Sequence, residues 1–217
     1  MSINHYGHSF GHRNNLILCH GTDKNGAERL LQGGIHAAAE PDPSNRGSYW
    51  LGTGLYAWEN NPEMAHWWAK HVLRIQEEDI VIVYLLIHPG AVLDLTESVN
   101  QDYLNAIYNL SESFIKEFNL KNKNDTNREL DFYLCNIAAS LSWKNLPNAR
   151  ELKVSAFREL PSSTYQSIRA AFTKKDSIYT GGLIFRQHIQ WCIRDPKIII
   201  ATLDLMTMVN GKLVLLK

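Results

Sequence analysis

The chain has 217 residues, 45% of them hydrophobic and 20% charged, which is enough to bury a core as one globular domain over residues 1–217. Its 22 Lys and Arg residues equal its 22 Asp and Glu residues, so charge alone argues against nonspecific nucleic-acid binding. No apolar run approaches the roughly 20 residues of a membrane-spanning helix, and the N-terminus lacks a signal-peptide pattern. We therefore expect a cytoplasmic protein with no membrane contact.

The cysteines and the N-terminal histidines are candidates for redox or metal chemistry. The cysteines are few and far apart, so we expect buried, reduced thiols at Cys19, Cys135 and Cys192. Residues 1–13 are polar and rich in Gly and His, and we predict a mobile arm. Histidines in this arm are spaced by three and four residues, which also suits a metal ion; they are His5, His8 and His12. The mobile arm is the favoured interpretation, and we expect no metal site.

The first 90 residues alternate between apolar runs and capping signals. Asp23 is a predicted helix N-cap, and Asn61-Pro62 starts a second helix with proline at its first position. The β-branched run at Ile80–Ile87 predicts a central strand. The predicted order is a strand at 16–18, a helix from 23 to Gly33-Gly34, a long loop at 35–49, a glycine-interrupted strand or turn at 51–58, a helix from 61 and a strand at 80–87.

The middle of the chain has helical periodicity, and its end returns to strands. Apolar residues recur at helical spacing over 98–118, and a second helix is predicted for 128–143. A further helix is predicted from Ser162 or Ser163 through Tyr165, Ile168, Arg169 and Phe172. Strands are predicted at 177–185, 189–193, 197–203 and 213–216. Strands at both ends with a helical insertion at about 95–175 predict an α+β fold.

Two short glycine-containing segments carry the most informative chemistry. They are Cys19-His20-Gly21-Thr22 and Gly52-Thr53-Gly54-Leu55-Tyr56, and a helix rich in Trp and Ala follows the second. The second segment is not the Gly-x-Gly-x-x-Gly fingerprint, so a Rossmann interpretation fails. Together the segments can bring backbone amides, an imidazole and a phenol ring into one cleft. Binding of a flat polar ring requires that combination.

The order of these segments, with the late strand Gln190–Pro196, resembles the ADP-ribosyltransferase superfamily in its diphtheria-toxin and poly(ADP-ribose)-polymerase-like branch. That branch uses a His-Tyr-Glu triad, one residue from each of three separated strands. The triad positions fall here on His20, Tyr56 and Gln190. The resemblance covers the beginning and the end of the chain. It implies a split β-sheet ADP-ribosyltransferase-like core with a helical insertion, and NAD as co-substrate.

The resemblance implies a role for each matched residue. Backbone groups of Gly21 would pair with the nicotinamide carboxamide, where the missing Cβ permits a close approach. His20 would hydrogen-bond a ribose hydroxyl, and Tyr56 would stack on the nicotinamide, a contact worth about 1–2 kcal/mol when desolvated. The complete set of NAD-binding candidates, with Arg46 for the pyrophosphate, is His20, Gly21, Thr22, Arg46, Gly54 and Tyr56.

Gln190 departs from the glutamate of the family. A neutral amide can accept a ribose hydrogen bond but adds no negative charge, a loss of about 3 kcal/mol of transition-state stabilisation. Branches of the family that lack the glutamate transfer a single unit or have lost activity. The resemblance therefore implies mono-transfer of ADP-ribose to a macromolecular acceptor, protein or nucleic acid, and argues against polymerase activity. A toxin or phage-defence effector held by an antitoxin is one possible setting. His188 lies two residues earlier on the same strand face. In related toxins the residue at that position helps to select the acceptor, so the resemblance implies that His188 is a candidate acceptor-side residue or proton acceptor.

Two other functions remain as alternatives. One is a catalytically degenerate module of the same fold that binds NAD or ADP-ribose, which Gln190 favours. The other is a metal-dependent hydrolase that uses the N-terminal histidines. Among the other charged residues, Arg169 is interpreted as a structural ion-pair partner and Glu59 as an exposed residue.

Overall fold

A computed structural model describes residues 15–32, 48–124, 127–140, 165–173, 187–209 and 212–216. Strands and helices both occur along this part of the chain. The strands are β1 (Leu16–Thr22), β2 (Leu55–Glu59), β3 (Val81–Ile87), β4 (Val92–Asp94), β5 (Asn122–Asn124), β6 (Asn127–Arg128), β7 (Ser167–Thr173), β8 (Gln187–Ile193), β9 (Ile199–Val209) and β10 (Lys212–Leu215). The helices are α1 (Lys24–Leu31), α2 (Pro62–His71), α3 (Ser98–Leu110), α4 (Glu112–Glu117) and α5 (Glu129–Ser140).

Eight of the strands form one open sheet in the order β10-β9-β3-β1-β2-β8-β7-β4. Neighbouring strands are antiparallel except β4 and β7, which are parallel. The short strands β5 and β6 form a separate antiparallel pair. A mostly antiparallel sheet with helices packed on it is an α+β fold, which confirms the predicted class.

The sheet is weakly connected at its centre, between β1 and β2. β1 pairs with β3 along its whole length, and β2 pairs with β8 from Leu55 to Trp58. The register between β1 and β2, by contrast, consists of the pairs Leu18–Glu59 and Cys19–Trp58. Beyond the Cys19–Trp58 pair, β1 continues to pair with β3 and β2 with β8. The pairing between β1 and β2 is therefore the shortest link at the centre of the sheet.

Helices cover both faces of this sheet. On one face, α2, α3 and α5 contribute buried side chains such as Trp68, Ile107 and Leu134 to the larger core cluster. On the other face, Ala27 and Leu30 of α1 pack in a second buried cluster. The two faces thus have separate cores, and the central strands lie between them.

The predicted helix starts of α1 and α2 are confirmed in their capping contacts. The Oδ1 atom of Asp23 accepts a hydrogen bond from the backbone N–H of Gly26 at 2.6 Å. The Oδ1 atom of Asn61 accepts from the N–H of Met64 at 2.9 Å, and Pro62 occupies the first helical position. Each cap satisfies a backbone donor that the first helical turn leaves unpaired.

The helix predicted through residues 165–172 is wrong, because this segment forms β7. Ile168 and Ala170 face the core, whereas the side chain of Arg169 between them points to the other face and pairs with Asp94 of the adjacent strand. That alternation has a period of two, as a strand requires. The predicted helical insertion at about 95–175 is therefore wrong for residues 167–173. Two residues of the predicted helix, Ser162 and Ser163, lie outside the described residues.

Other boundaries differ from the prediction in smaller ways. The helix predicted for 98–118 is interrupted at Ser111 and forms α3 and α4. The short strand β4 was not predicted, and β9 extends to Val209, beyond the predicted 197–203. The strand at 177–185, the Gly33-Gly34 helix end, the arm at 1–13 with its histidines, and Arg46 lie outside the described residues.

The structure also bears on the expectations for the cysteines and for membrane contact. All three cysteines are free and buried, as predicted. Within the described ranges, none of the helices combines the length and apolar character that a bilayer crossing requires.

Candidate functional site

His20 lies just beyond the point where β1 and β2 stop pairing. Its Nδ1 atom is 2.7 Å from the carbonyl oxygen of Tyr56. A carbonyl only accepts, so Nδ1 carries the proton and Nε2 is an acceptor. Burial lowers the pKa of His20 below its ordinary value of 6.5, although the Tyr56 carbonyl opposes this shift. The ring is therefore neutral at pH 7 and has an accepting nitrogen.

Gly21 is buried where β1 crosses α2. A Cβ atom at this position would overlap the backbone carbonyl of Ala65, so the close approach of the helix requires glycine. On the β2 side of the strand, the carbonyl of Ile17 accepts from the N–H of Asn60 at 3.3 Å. Backbone groups of a strand alternate in direction, so the N–H and C=O of Gly21, four residues later, face the same side. They point to the side on which β1 has stopped pairing with β2, which we call the β1–β2 gap.

Packing inside the protein explains the residue types at two other predicted positions, Thr22 and Gly54. A Cβ on Gly26 would overlap Oγ1 of Thr22, so Thr22 covers the first turn of α1. A Cβ on Gly54 would lie 2.5 Å from Sγ of Cys192 and 2.6 Å from the carbonyl oxygen of Ile193. Close packing alone therefore accounts for the glycine at position 54.

Tyr56 is a core residue in this arrangement. Its hydroxyl accepts from the N–H of Leu51 at 2.7 Å and donates to the carbonyl of Gly52 at 2.9 Å. Its ring stacks on Trp68 with centroids 5.8 Å apart and planes 8° apart. The pKa of Tyr56 is raised well above 10, and burial is the largest cause of this shift. The phenol thus fixes the turn before β2, and its polar group is not offered to a ligand.

Gln190 is fully buried, at 0% exposure, on the middle of β8. The indole N–H of Trp50 donates to its Oε1 atom at 2.7 Å. An indole nitrogen only donates, so the contacting atom of the amide is its oxygen. The Nε2 atom has no hydrogen-bond partner among the described residues. The group of Gln190 that could still bind a ligand is therefore a hydrogen-bond donor, whereas the glutamate of the family would be an acceptor.

His188 is nearly buried and contacts the N-cap of α2. Its Nδ1 atom lies 2.8 Å from Nδ2 of Asn61. Because the amide oxygen of Asn61 accepts from Met64, the amide nitrogen is the donor, and Nδ1 of His188 accepts. The ring of His188 also meets Trp58 edge to face, with centroids 6.3 Å apart.

The structure brings the predicted triad together only in part. Cys19 pairs with Trp58, and Trp58 with Gln190, so these residues share one face of the sheet. By alternation Tyr56 shares this face, whereas His20 is on the other face of β1. The imidazole reaches the Tyr56 backbone at the gap, while the phenol and the carboxamide are enclosed in the core.

The carboxylate of Glu59, at the end of β2, is already engaged. Oε2 of Glu59 accepts from Nε of Arg169 at 3.1 Å and from the indole N–H of Trp191 at 3.0 Å. Arg169 also pairs with Asp94 at 3.0 Å. The interpretation of Arg169 as a structural ion-pair partner is confirmed, and the expectation that Glu59 is simply exposed is wrong.

A cavity of about 450 Å³ lies elsewhere, between α3, α5 and β7. Trp50 lines it, but none of His20, Tyr56, Gln190 and His188 does. Among the described residues, no group of three or more His, Cys, Asp and Glu side chains is arranged to hold a metal ion.

Sequence reasoning missed the two residues that hold the β8 side chains. Trp50 and Gln190 are 140 positions apart, and Asn61 and His188 are 127 apart. Asn61-Pro62 was recognisable as a helix start, but nothing local marks its second contact. Only the strand pairing brings these groups together.

No model of a known protein family matches the chain. The chain is 26% identical over 197 residues to the uncharacterized protein MJ0359 of Methanocaldococcus jannaschii, a match that covers 85% of this chain and 84% of that protein.

Proposed function

We propose that the protein is an NAD-dependent mono-ADP-ribosyltransferase whose site lies where β1 and β2 stop pairing. The observation that carries the proposal is the end of the β1–β2 register at Cys19, next to His20 and Gly21. A gap between paired strands offers unpaired backbone donors and acceptors, which a planar carboxamide can bind.

His20 supports this proposal through its tautomer. With Nδ1 committed to the Tyr56 carbonyl, Nε2 can accept a hydrogen bond from a ribose hydroxyl. The lowered pKa of His20, caused mainly by burial, keeps the ring neutral beside a cationic nicotinamide. A charged imidazolium there would repel that cation.

The reaction breaks the bond between the ribose anomeric carbon and the nicotinamide nitrogen. The bonding electron pair leaves with nicotinamide, and a nucleophile of a macromolecular acceptor attacks the anomeric carbon and loses its proton. Tyr56 and Gln190 act as positioning residues in the proposal, since Tyr56 holds the turn at 51–52 and Gln190 holds Trp50. With Gln190 in place of the family glutamate, no carboxylate at that position offsets the charge on the ribose, which favours slow transfer of a single unit.

Release of nicotinamide from NAD tests the proposal. Purified protein with NAD and a macromolecular acceptor mixture should release nicotinamide, measured by chromatography. Because Nε2 of His20 is the contacting acceptor, His20→Ala should lower the rate about 100-fold. His88→Ala, at an exposed position, is the matched control and should leave the rate unchanged. Equal rates for wild type and His20→Ala would contradict the assignment.

A noncatalytic NAD- or ADP-ribose-binding module is the second candidate. The enclosure of the Gln190 amide, with its oxygen held by Trp50, favours it. Calorimetry would then detect NAD binding by the wild type without nicotinamide release. His20→Ala would weaken that binding, and Gln190→Glu would not create turnover.

A further inference from the structure

The cavity between α3, α5 and β7 is built without the residues of the proposed transferase site. Its volume of about 450 Å³ lies in the range of small-molecule sites. Leu95, Leu104, Leu134 and Ala170 give it an apolar wall. A ligand with a flat apolar face can bury that face here.

The Arg128 side chain gives the cavity a fixed planar group. Its guanidinium carbon lies 4.0 Å from the ring centroid of Trp50. Its Nε atom pairs with a carboxylate oxygen of Asp131 at 2.5 Å, and all three residues line the cavity. Since Asp131 balances the charge of Arg128, the site favours a neutral ligand over an anion such as phosphate. The stacked indole and guanidinium favour a planar one.

Two amides on α3 stand one helical turn apart at the polar edge of the cavity. Nε2 of Gln101 donates to the carbonyl of Leu95 at 2.8 Å, which holds that amide and leaves its oxygen as an acceptor. Asn105 is exposed and lines the cavity, and no described residue hydrogen-bonds its side chain. Asn and Gln amides match the adjacent donor and acceptor on the edge of adenine.

We propose that this cavity is a binding site for a neutral purine nucleoside, either free adenosine or an unpaired adenosine of a single-stranded nucleic acid. The purine ring stacks beside Arg128 and Trp50, and Asn105 and Gln101 contact its edge. The apolar wall takes the rest of the nucleoside. This inference does not rest on the proposed transferase activity, because none of the residues that contact the two ligands is shared. Gln190, a positioning residue of the transferase proposal, holds Trp50 of this cavity.

Calorimetric titration of the full chain with adenosine tests the site directly. We expect saturable binding. Cytidine should bind at least tenfold more weakly because its single ring lacks the N6/N7 edge of adenine and stacks over a smaller area. Asn105→Leu should weaken adenosine binding about tenfold through loss of an edge contact. The matched control is Asn109→Leu, one turn further along α3 at an exposed position outside the cavity lining, which should bind as the wild type does.

A second ligand distinguishes the two possible sources of the nucleoside, the free compound and a single-stranded nucleic acid. Tighter binding of a short oligoadenylate than of adenosine assigns the site to single-stranded nucleic acid, and equal binding assigns it to the free nucleoside. His20→Ala should keep the wild-type affinity for adenosine even where nicotinamide release is lost. Absence of saturable adenosine binding, equal binding of cytidine, or wild-type affinity in Asn105→Leu would overturn the proposal.

Discussion

His20 links the stability of the fold to pH. Burial lowers its pKa in the folded protein below the ordinary value of 6.5, so the unfolded chain binds the proton more readily. The contribution of His20 to stability is therefore complete above about pH 6.5 and falls as the pH drops below that value, with a slope of at most about 1.4 kcal/mol per pH unit.

Urea unfolding between pH 7.5 and 5 measures this contribution. The free energy of unfolding of wild type should fall more steeply with decreasing pH than that of His20→Gln. The variant His88→Gln, altered at an exposed histidine, should follow the wild-type curve. Parallel curves for wild type and His20→Gln would mean that the imidazole titrates alike in the folded and unfolded states.

The Trp50–Gln190 hydrogen bond is a second test at the scale of single residues. Trp50→Phe leaves the buried amide oxygen without its donor, and Gln190→Met leaves the indole N–H without its acceptor. Each change should cost about 1–3 kcal/mol of unfolding free energy. Because both remove the same bond, the double variant should cost about 1 kcal/mol less than the sum.

Two substitutions that lie far apart provide the control for this double-mutant cycle. Asn25 is exposed on α1, which packs on the other face of the sheet. Trp50→Phe and Asn25→Ala should therefore be additive in urea unfolding. Additivity in the Trp50–Gln190 pair as well would contradict the buried contact.

At the scale of elements, the crossing of β1 and α2 depends on Gly21. A methyl group there would overlap the Ala65 carbonyl, and backbone atoms cannot give way as a flexible side chain can. Gly21→Ala should therefore lower the free energy of unfolding by about 1–3 kcal/mol, measured in urea. Asn25→Ala, at an exposed helical position, should change it by less than about 0.5 kcal/mol. A near-neutral Gly21→Ala would show that α2 can move away.

The elements that were predictable are those with one clear period or a local cap. The apolar run of β3 and the caps at Asp23 and Asn61 depend only on neighbouring residues, so the sequence identifies them. β7 was misread because its apolar residues also fit a helical spacing. Its strand conformation comes from pairing with β8 and from the Arg169–Asp94 ion pair, both set by distant segments.

At the scale of the whole molecule, the sequence predicts where the residues of the candidate site lie along the chain, but not how they are arranged in space. The sequence identifies His20, Tyr56 and Gln190 as candidates, but it does not specify which face of a strand each occupies. That choice depends on register, which places Tyr56 and Gln190 in the core with α2 and Trp50. The end of the β1–β2 pairing at Cys19 likewise depends on distant segments, and no local pattern indicates it.

A crystal structure of the protein with NAD tests the central claim most directly. The account predicts that the nicotinamide carboxamide pairs with the backbone of Gly21 where β1 and β2 stop pairing. A ribose hydroxyl oxygen should then lie within about 3.2 Å of Nε2 of His20. Nicotinamide bound at any other part of the molecule, with Nε2 of His20 free of the ribose, would contradict it.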